Sequence, residues 1–171
     1  MNENKMEKLD SVVIRFSGDS GDGMQLTGTL FSSLSAILGN EIATFPDYPA
    51  EIRAPQGTVS GVSGFQVNVG SGINTPGDHA DVLVVMNPAA LQVNKNILKP
   101  LGVVIYDADS FGKKDLEKAG FTTENPFVEL GFKDTVQIIP VPLTSLTVKS
   151  LEGFGMDMKS MTRSKNMFAL G

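Results

Sequence analysis

The residues best placed to do chemistry lie in one short segment near the start of the chain. Every position from 17 to 23 is Gly, Ser or Asp, which is typical of a tight loop rather than of a core. An apolar run at 12–16 precedes this segment and predicts a buried strand. From Met24 to Leu38 large apolar residues recur at helical spacing on one face, and Gly39 gives a helix end. The sequence therefore predicts a strand, a glycine-rich loop and a helix in succession.

A loop of this kind could bind an anionic group of a nucleotide-like ligand. The start of a helix presents unpaired N–H groups and the positive end of the helix dipole. A strand-to-helix turn without a ligand explains the composition equally well. The spacing of Gly18, Gly21 and Gly23 matches neither the dinucleotide motif nor the P-loop. Asp19 and Asp22 would repel a bare phosphate, so they are expected to cap the helix or to accept hydrogen bonds from ligand hydroxyls and amides.

The segment Gly21-Asp22-Gly23 also resembles the start of the motif that binds thiamine diphosphate and magnesium. That motif continues with an Asn further along the chain, where this sequence has Tyr48, Pro49, Ala50 and Glu51. The sequence therefore predicts that the thiamine cofactor is not held at this loop.

Two further polar residues are candidates for ligand contacts. Asn87 follows an apolar strand at 81–86 and precedes Pro88, a pattern that predicts a helix cap. The same position lies at the carboxyl edge of the predicted sheet, where open α/β folds bind ligands. Arg53 lies in a proline-rich segment at 46–57, which is either a shaped binding loop or a solvated connection.

The sequence does not predict a metal site. His79 is the one histidine of the chain, and it has no Cys or His partner in the sequence. Asp107 and Asp109 follow a strand with no third ligand in view, so a solvated or capping role is expected for both.

The elements that must position these residues alternate between strands and helices. Further strands are predicted at 41–45, 59–69, 81–86, 103–106 and 136–139. The strand at 59–69 is expected to be half-exposed, because apolar and polar residues alternate along it. Further helical segments are predicted at 88–98, 113–120, 143–152 and 164–171, while 122–133 is predicted to be irregular. The whole pattern predicts a three-layer α/β/α domain with a mostly parallel sheet.

The composition narrows the classes of partner. A chain of 171 residues that is 41% hydrophobic suits one domain with a real core. Without cysteine the chain makes no disulfide and holds no iron–sulfur cluster through thiolates. A net charge of −5 argues against nucleic acid as a partner. No apolar stretch has the length of a membrane span or of a signal sequence, so a cytoplasmic protein without a membrane partner is expected.

Four short motifs together resemble one known family. They are FSGDSGDGMQ at 16–25, YPAEIR at 48–53, MNP at 86–88 and KNM at 165–167. In these motifs the chain is similar to the gamma-type domain of 2-oxoacid:ferredoxin oxidoreductases. It looks most like the 2-oxoglutarate type, in which this domain is fused ahead of a thiamine-binding alpha portion. The resemblance extends over nearly the whole chain and implies that residues 1–171 are one domain cut from a longer chain.

The resemblance implies a part in an oxidative decarboxylation. In the family a 2-oxoacid is decarboxylated on thiamine diphosphate, electrons leave through iron–sulfur clusters to ferredoxin, and the acyl group passes to coenzyme A. Thiamine diphosphate, Mg²⁺ and the clusters would then lie on other domains or subunits, the alpha and beta portions of the same enzyme. The gamma-type domain would contribute to coenzyme A binding without being catalytic alone.

The resemblance also implies which residues contact coenzyme A. By motif these are Gly18, Asp19, Ser20, Gly21, Asp22, Gly23, Met24 and Gln25. Asn166 is a further implied contact, and Arg53 matches a recurring arginine that could serve an anion or an inter-subunit pair. Stand-alone gamma subunits more usually carry G-x-G-G-Q-G, and the two extra carboxylates here leave contacts to pantetheine or adenosine open beside contacts to the pyrophosphate. A subunit-contact domain without its own ligand and a nucleotide-binding oxidoreductase domain are the alternative functions.

Overall fold

The fold is built on one six-stranded sheet with helices on both faces. The computed structural model describes residues 9–48, 61–70, 75, 79–132 and 134–170. The strands are β1 (Ser11–Asp19), β2 (Ile42–Asp47), β3 (Val62–Gly70), β4 (Ala80–Val85), β5 (Leu98–Asp107) and β6 (Gln137–Val141). The helices are α1 (Met24–Ile37), α2 (Pro88–Asn94), α3 (Lys113–Lys118), α4 (Pro126–Glu129), α5 (Leu143–Leu151), α6 (Met158–Arg163) and α7 (Lys165–Leu170).

The strand order places several loops at one edge of the sheet. The strands lie in the order β2-β3-β1-β4-β5-β6. The pairs β1–β4, β4–β5 and β5–β6 are parallel, while β3 is antiparallel to both of its neighbours. The carboxyl ends of β1, β4, β5 and β6 therefore meet at the same edge, so the segments after Asp19, Val85, Asp107 and Val141 are neighbours there. The prediction of a mostly parallel sheet is confirmed.

The helices form a layer on each face of the sheet. On one face α1 and α5 pack through Met24 and Leu143 around a core that also includes Phe16 and Met86. α7 joins this layer beside α1 and α5, and α6 lies against α5 and α7. On the other face α2, α3 and α4 pack in a second core. The three-layer architecture predicted from the alternating elements is therefore confirmed.

Two strands differ from their predicted extent or environment. β1 runs on to Asp19, so it contains Ser17 and Gly18, which were predicted to belong to the loop. Both residues are buried because β3 pairs with β1 along this stretch, and β4 pairs with it as far as Ser17. The prediction that β3 is half-exposed is wrong, because α1 and α2, which lie in opposite helical layers, both contact it. Its Gln66 and Asn68 are fully buried, and Gln66 Nε2 donates a hydrogen bond of 3.0 Å to Asn68 Oδ1.

Three boundaries also differ from the prediction. Pro46 lies inside β2, which tolerates the missing N–H because β2 is an edge strand. α2 ends at Asn94 because β5 begins as early as Leu98. The short helix α4 lies within 122–133, which was predicted to be irregular. The helices predicted at 113–120, 143–152 and 164–171 are present as α3, α5 and α7.

The helix α1 turns most of its large apolar residues away from the sheet. Met24 and Phe31 pack toward the sheet, and the Phe31 ring lies 5.7 Å from the ring of Phe16 in β1. The other residues of α1 that are buried on this side are small: Thr27, Gly28, Ser32 and Ser35. Gly28 permits this close packing, because a Cβ atom there would lie 2.1 Å from the ring of Phe65. The exposed side carries Leu26, Leu30, Leu34, Ile37 and Leu38. The periodicity predicts the helix correctly, but the apolar stripe is not the face that meets the sheet.

Candidate functional site

The glycine loop, residues 20–23, connects β1 to α1 at the carboxyl edge of the sheet. Two hydrogen bonds close it at its base: the Asp22 amide donates to the Asp19 carbonyl oxygen at 2.9 Å, and the Asp19 amide donates to Asp22 Oδ2 at 2.9 Å. Ser20 and Gly21 at the tip are exposed. A Cβ at Gly21 would meet no atom within 4 Å. The loop therefore has a fixed base and an open tip.

The start of α1 has no side-chain cap. Gly23 is the N-cap residue, with a φ of 72° that favours glycine, and no side chain bonds to the first turn. Of the two roles predicted for Asp19 and Asp22, capping of α1 is therefore wrong, and hydrogen bonds to a ligand stay a prediction. Asn166 of α7 lies directly against Gly23, since a Cβ on that glycine would be 2.4 Å from Asn166 Nδ2. The buried Asn166 thus fixes the position of the loop relative to α7.

The carboxylate of Asp22 lies between the loop and α7. Burial raises its pKa, an effect that the nearby Lys165 ammonium and the Asp19 amide hydrogen bond only partly offset. Lys165 Nζ lies 3.4 Å from Asp22 Oδ1 and 3.7 Å from Oδ2 of the buried Asp107. The Asp22 carboxylate is therefore paired with the ammonium group of α7 beside the loop.

Asp19 is held on the other side of the loop by Asn87. The Asn87 side chain caps α2, because its Oδ1 accepts a hydrogen bond of 2.8 Å from the Ala90 amide. Its Nδ2 donates to Asp19 Oδ1 at 2.8 Å. The predicted cap is confirmed. Asn87 also links the carboxyl end of β1 to the first turn of α2.

Three residues of the predicted motif lie at the base of the loop rather than at its tip. Gly18 is buried in β1, and the side chain of Met24 is buried in the core. The side chain of Gln25 reaches β3, where its Nε2 donates to the Gly64 carbonyl oxygen at 2.9 Å and to Ser63 Oγ at 3.0 Å. These residues hold the loop in position against the sheet. The coenzyme contacts that the motif implies for them stay a prediction.

A basic pocket opens beside the loop tip. Gly21 and Asp22 line it from the loop, and α6 and the start of α7 line it from the other side. The helical residues are Met158, Lys159, Thr162, Arg163 and Lys165. Lys159 and Arg163 are exposed and lie four residues apart on α6, so both reach the same side of that helix. The sequence motifs did not single out these two cations, since they are far from the loop in the chain and only their spacing within a helix points to them.

The remaining predictions concern Arg53, Asp107, metal binding and membrane spans. Arg53 and most of the 46–57 segment lie outside the described residues. Asp107 accepts hydrogen bonds from the Asp109 and Leu143 amides, so its predicted capping role is confirmed. Within 9–48, 61–70, 75, 79–132 and 134–170, no group of three or more His, Cys, Asp or Glu residues could hold a metal ion. None of the helices in these ranges has the length and apolarity to cross a membrane.

The fold and the motif at the glycine loop define a class of protein. The chain belongs to the pyruvate ferredoxin/flavodoxin oxidoreductase family, whose sequence profile matches residues 13–171. It is 51% identical over 166 residues to the 2-oxoglutarate oxidoreductase subunit KorA of Mycobacterium tuberculosis. That match covers 96% of this chain and 25% of the relative, so the chain spans about a quarter of the relative's length. The family resemblance predicted from the four motifs is confirmed.

Solved structures show the same fold. A 2-oxoglutarate:ferredoxin oxidoreductase from Magnetococcus marinus, with 2-oxoglutarate, coenzyme A and succinyl-CoA bound, matches with a TM-score of 0.66 at 28% identity, over 95% of this chain and 23% of that chain. The gamma subunit of a keto/oxoacid ferredoxin oxidoreductase from Geobacter sulfurreducens matches with a TM-score of 0.61 at 20% identity, over 93% and 73% of the two chains. The pyruvate oxidoreductase subunit PORC from Thermotoga maritima matches with a TM-score of 0.56 at 15% identity, over 95% and 94%. At these lower identities the last two matches establish the fold alone.

Proposed function

We propose that this chain is a gamma-type domain of a 2-oxoglutarate:ferredoxin oxidoreductase and that it contributes to coenzyme A binding. Residues 1–171 form one domain of a larger enzyme in this proposal. The identity to the Mycobacterium tuberculosis subunit and the likeness to the Magnetococcus marinus enzyme support it. Thiamine diphosphate, Mg²⁺, the iron–sulfur clusters and the contact with ferredoxin then belong to the other portions of that enzyme.

The observation that carries the coenzyme role is the basic pocket beside an open glycine loop. Coenzyme A carries a pyrophosphate and a 3′-phosphate, which need cationic partners. Lys159 and Arg163 of α6 line the pocket, and Gly21 lines it from the loop. Lys165 and Asp22 also line it, but they are paired with each other. Arginine binds phosphate oxygens in a bidentate manner, whereas lysine supplies a compact charge. The pocket therefore has the charge and the backbone access that a phosphorylated ligand requires.

The two carboxylates of the loop do not oppose this role. Asp19 is hydrogen-bonded to Asn87, and Asp22 faces Lys165 with a raised pKa. Each carboxylate is therefore engaged by another group of the protein. We assign the phosphate contacts to α6 and the close backbone approach to Ser20 and Gly21. Arg53 stays a predicted contact of the same ligand.

Steady-state kinetics of the assembled enzyme test the coenzyme role. Lys159→Gln and Arg163→Gln each remove one positive charge from an exposed position on α6. We expect each change to raise KM for coenzyme A about tenfold, because a charge-assisted hydrogen bond to phosphate contributes on the order of 1.5 kcal/mol. The value of kcat should be unchanged, since neither residue is assigned a role in the chemistry. Dephospho-coenzyme A lacks the 3′-phosphate. A variant that has lost a contact to the 3′-phosphate should have the same KM for this analogue as the unchanged enzyme, whereas a variant that has lost a contact to the pyrophosphate should still have a raised KM.

Lys113→Gln is the matched control, because Lys113 is an exposed lysine on α3 in the opposite helical layer. Its KM for coenzyme A should equal that of the unchanged enzyme. If Lys159→Gln and Arg163→Gln also leave KM unchanged, the coenzyme role is wrong and a domain without its own ligand becomes the better account.

A further inference from the structure

The helical layer that contains α1 has an unusually apolar outer surface. We call this surface the outer face. Five of its exposed large side chains lie on or just after α1, and five more lie between α5 and the end of α7. They are Leu26, Leu30, Leu34, Ile37, Leu38, Phe154, Met156, Met158, Met167 and Phe168. In the described helices of the opposite layer, the exposed large hydrophobic residues are Val93 and Val128.

The composition of α1 is unusual for a helix that borders water. The helix contains no charged residue over its fourteen positions. Four of its large apolar residues, Leu26, Leu30, Leu34 and Ile37, face outward, whereas Met24 and Phe31 pack toward the sheet. A helix whose outer side is covered only by water carries polar residues on that side instead. A contiguous apolar patch of more than a few hundred Å² is rare on a monomer and marks an interaction surface.

The breadth of the outer face indicates a large occupant. The apolar stripe from Leu26 to Leu38 is about 18 Å long at about 1.5 Å per residue, and α7 extends the surface sideways. A second copy that paired through α1 alone would leave the exposed side chains of Met167 and Phe168 on α7 uncovered. A broad protein surface is needed to cover α1 and α7 together.

We propose that the outer face docks on the remainder of the oxidoreductase, the part that lies beyond this chain's span in the longer relatives. The proposal rests on the proposed function, because it treats the chain as one part of a larger enzyme. The relative that is 51% identical is about four times as long as the matched region, so a large surface exists to serve as the occupant. Met158 belongs both to the outer face and to the basic pocket, so the docked portion would also border the coenzyme site.

Thiol labelling of the full-length assembled enzyme tests the docking. Ile37→Cys probes the outer face, and Val93→Cys is its matched control. Ile37 is 81% exposed and Val93 is 62% exposed, and each lies near the end of a helix in its own layer. Chain positions 1–171 contain no other cysteine, so mass spectrometry assigns each label to one peptide. We expect Ile37→Cys to react at least about tenfold more slowly than Val93→Cys, because reaction requires exposure. Equal rates at the two positions would overturn the proposal.

Photo-crosslinking identifies the occupant. A benzophenone side chain at position 37, introduced as Ile37→p-benzoylphenylalanine, should crosslink to peptides outside residues 1–171 of the assembled enzyme. Crosslinks to α1 of a second copy, or to another segment of the same 171 residues, would overturn the proposal. These results are independent of coenzyme kinetics. An enzyme in which Lys159→Gln raises KM while position 37 labels freely has the coenzyme site but not the docking.

Discussion

Asp19 and Asp22 flank the tip of the glycine loop, and each has a partner that turns its charge away from the tip. Asp19 accepts a hydrogen bond from Asn87, and Asp22 accepts one from the Asp19 amide. Lys165 lies 3.4 Å from the second oxygen of Asp22. The acidic residues therefore shape the loop, and in the proposed site the positive charge for a ligand comes from Lys159 and Arg163 of α6.

The raised pKa of Asp22 makes its effect on stability depend on pH. The usual pKa of 3.8 describes the unfolded chain, and the folded value lies higher because burial disfavours the charge. Below the unfolded pKa both states are protonated, and Asp22 carries no electrostatic cost. As pH rises through this range the unfolded state ionises first, so the free energy of unfolding falls. Above the pKa of the folded state Asp22 is ionised in both states, and its contribution to the free energy of unfolding no longer changes with pH.

Asp22→Asn removes this titration and keeps an oxygen that can accept from the Asp19 amide. We expect the variant to gain stability relative to the unchanged chain when pH rises from about 3 to about 7. Urea denaturation of both proteins at each pH measures the difference, and the other carboxylates cancel in it. A difference that does not change with pH, or that favours the unchanged chain more at neutral pH, would contradict this account.

At the level of elements, α1 depends on one close contact with the sheet. Gly28 faces the Phe65 ring, and a Cβ atom there would lie 2.1 Å from that ring. Gly28→Ala should lower the free energy of unfolding by about 1–3 kcal/mol, because overpacking outweighs the gain of about 1 kcal/mol in helix propensity. Thermal or urea unfolding measures the change.

The control for Gly28→Ala lies in the same helix. Ser33 is exposed, so Ser33→Ala should change the free energy of unfolding by less than about 0.5 kcal/mol. If Gly28→Ala were as stable as Ser33→Ala, the close packing of α1 on β3 would not matter for stability.

The same helix shows what the sequence could and could not predict. Its position, its length and its glycine loop follow from composition and periodicity, because local patterns determine where a helix begins and ends. Its orientation does not follow, since an apolar stripe faces whichever surface covers it, and that surface need not be the sheet. The cue was Gly28 among small residues on the opposite side, which signals close approach of a neighbour.

The strands show the same limit. The apolar run of β4 predicted a central strand, and β4 lies between β1 and β5. For β3 the alternation of polar residues predicted exposure, but Gln66 and Asn68 are buried and bonded to each other. A polar side chain can be buried wherever a partner satisfies it, and the sequence does not show that partner. The same limit applies to the candidate site. The glycine loop could be predicted from the sequence, whereas only the fold shows that Lys159 and Arg163 lie beside it.

At the scale of the whole molecule, Lys165 connects segments that are far apart in the chain. It pairs with Asp22 after β1 and with Asp107 at the end of β5, and its own helix packs beside α1 and α5. Asp107 is fully buried, and it also accepts hydrogen bonds from the Leu143 amide and from Thr144 Oγ1. One ammonium group thus compensates two carboxylates at the edge where the parallel strands end.

Removing this ammonium should destabilise the whole fold. Lys165→Met keeps the side-chain volume but leaves the carboxylates of Asp22 and Asp107 without their shared cation, so the free energy of unfolding should fall by about 3 kcal/mol. Lys159→Met is the matched control, because Lys159 is exposed and its loss should cost less than about 0.5 kcal/mol. In the double variant Lys165→Met with Asp22→Asn, the recovery should exceed the gain that Asp22→Asn gives in the unchanged chain, since Asp22 is more costly without its cation. Urea denaturation of the unchanged chain, of Lys165→Met, of Asp22→Asn and of the double variant gives the coupling. Additive effects of the two changes would show that Lys165 does not stabilise the loop through Asp22.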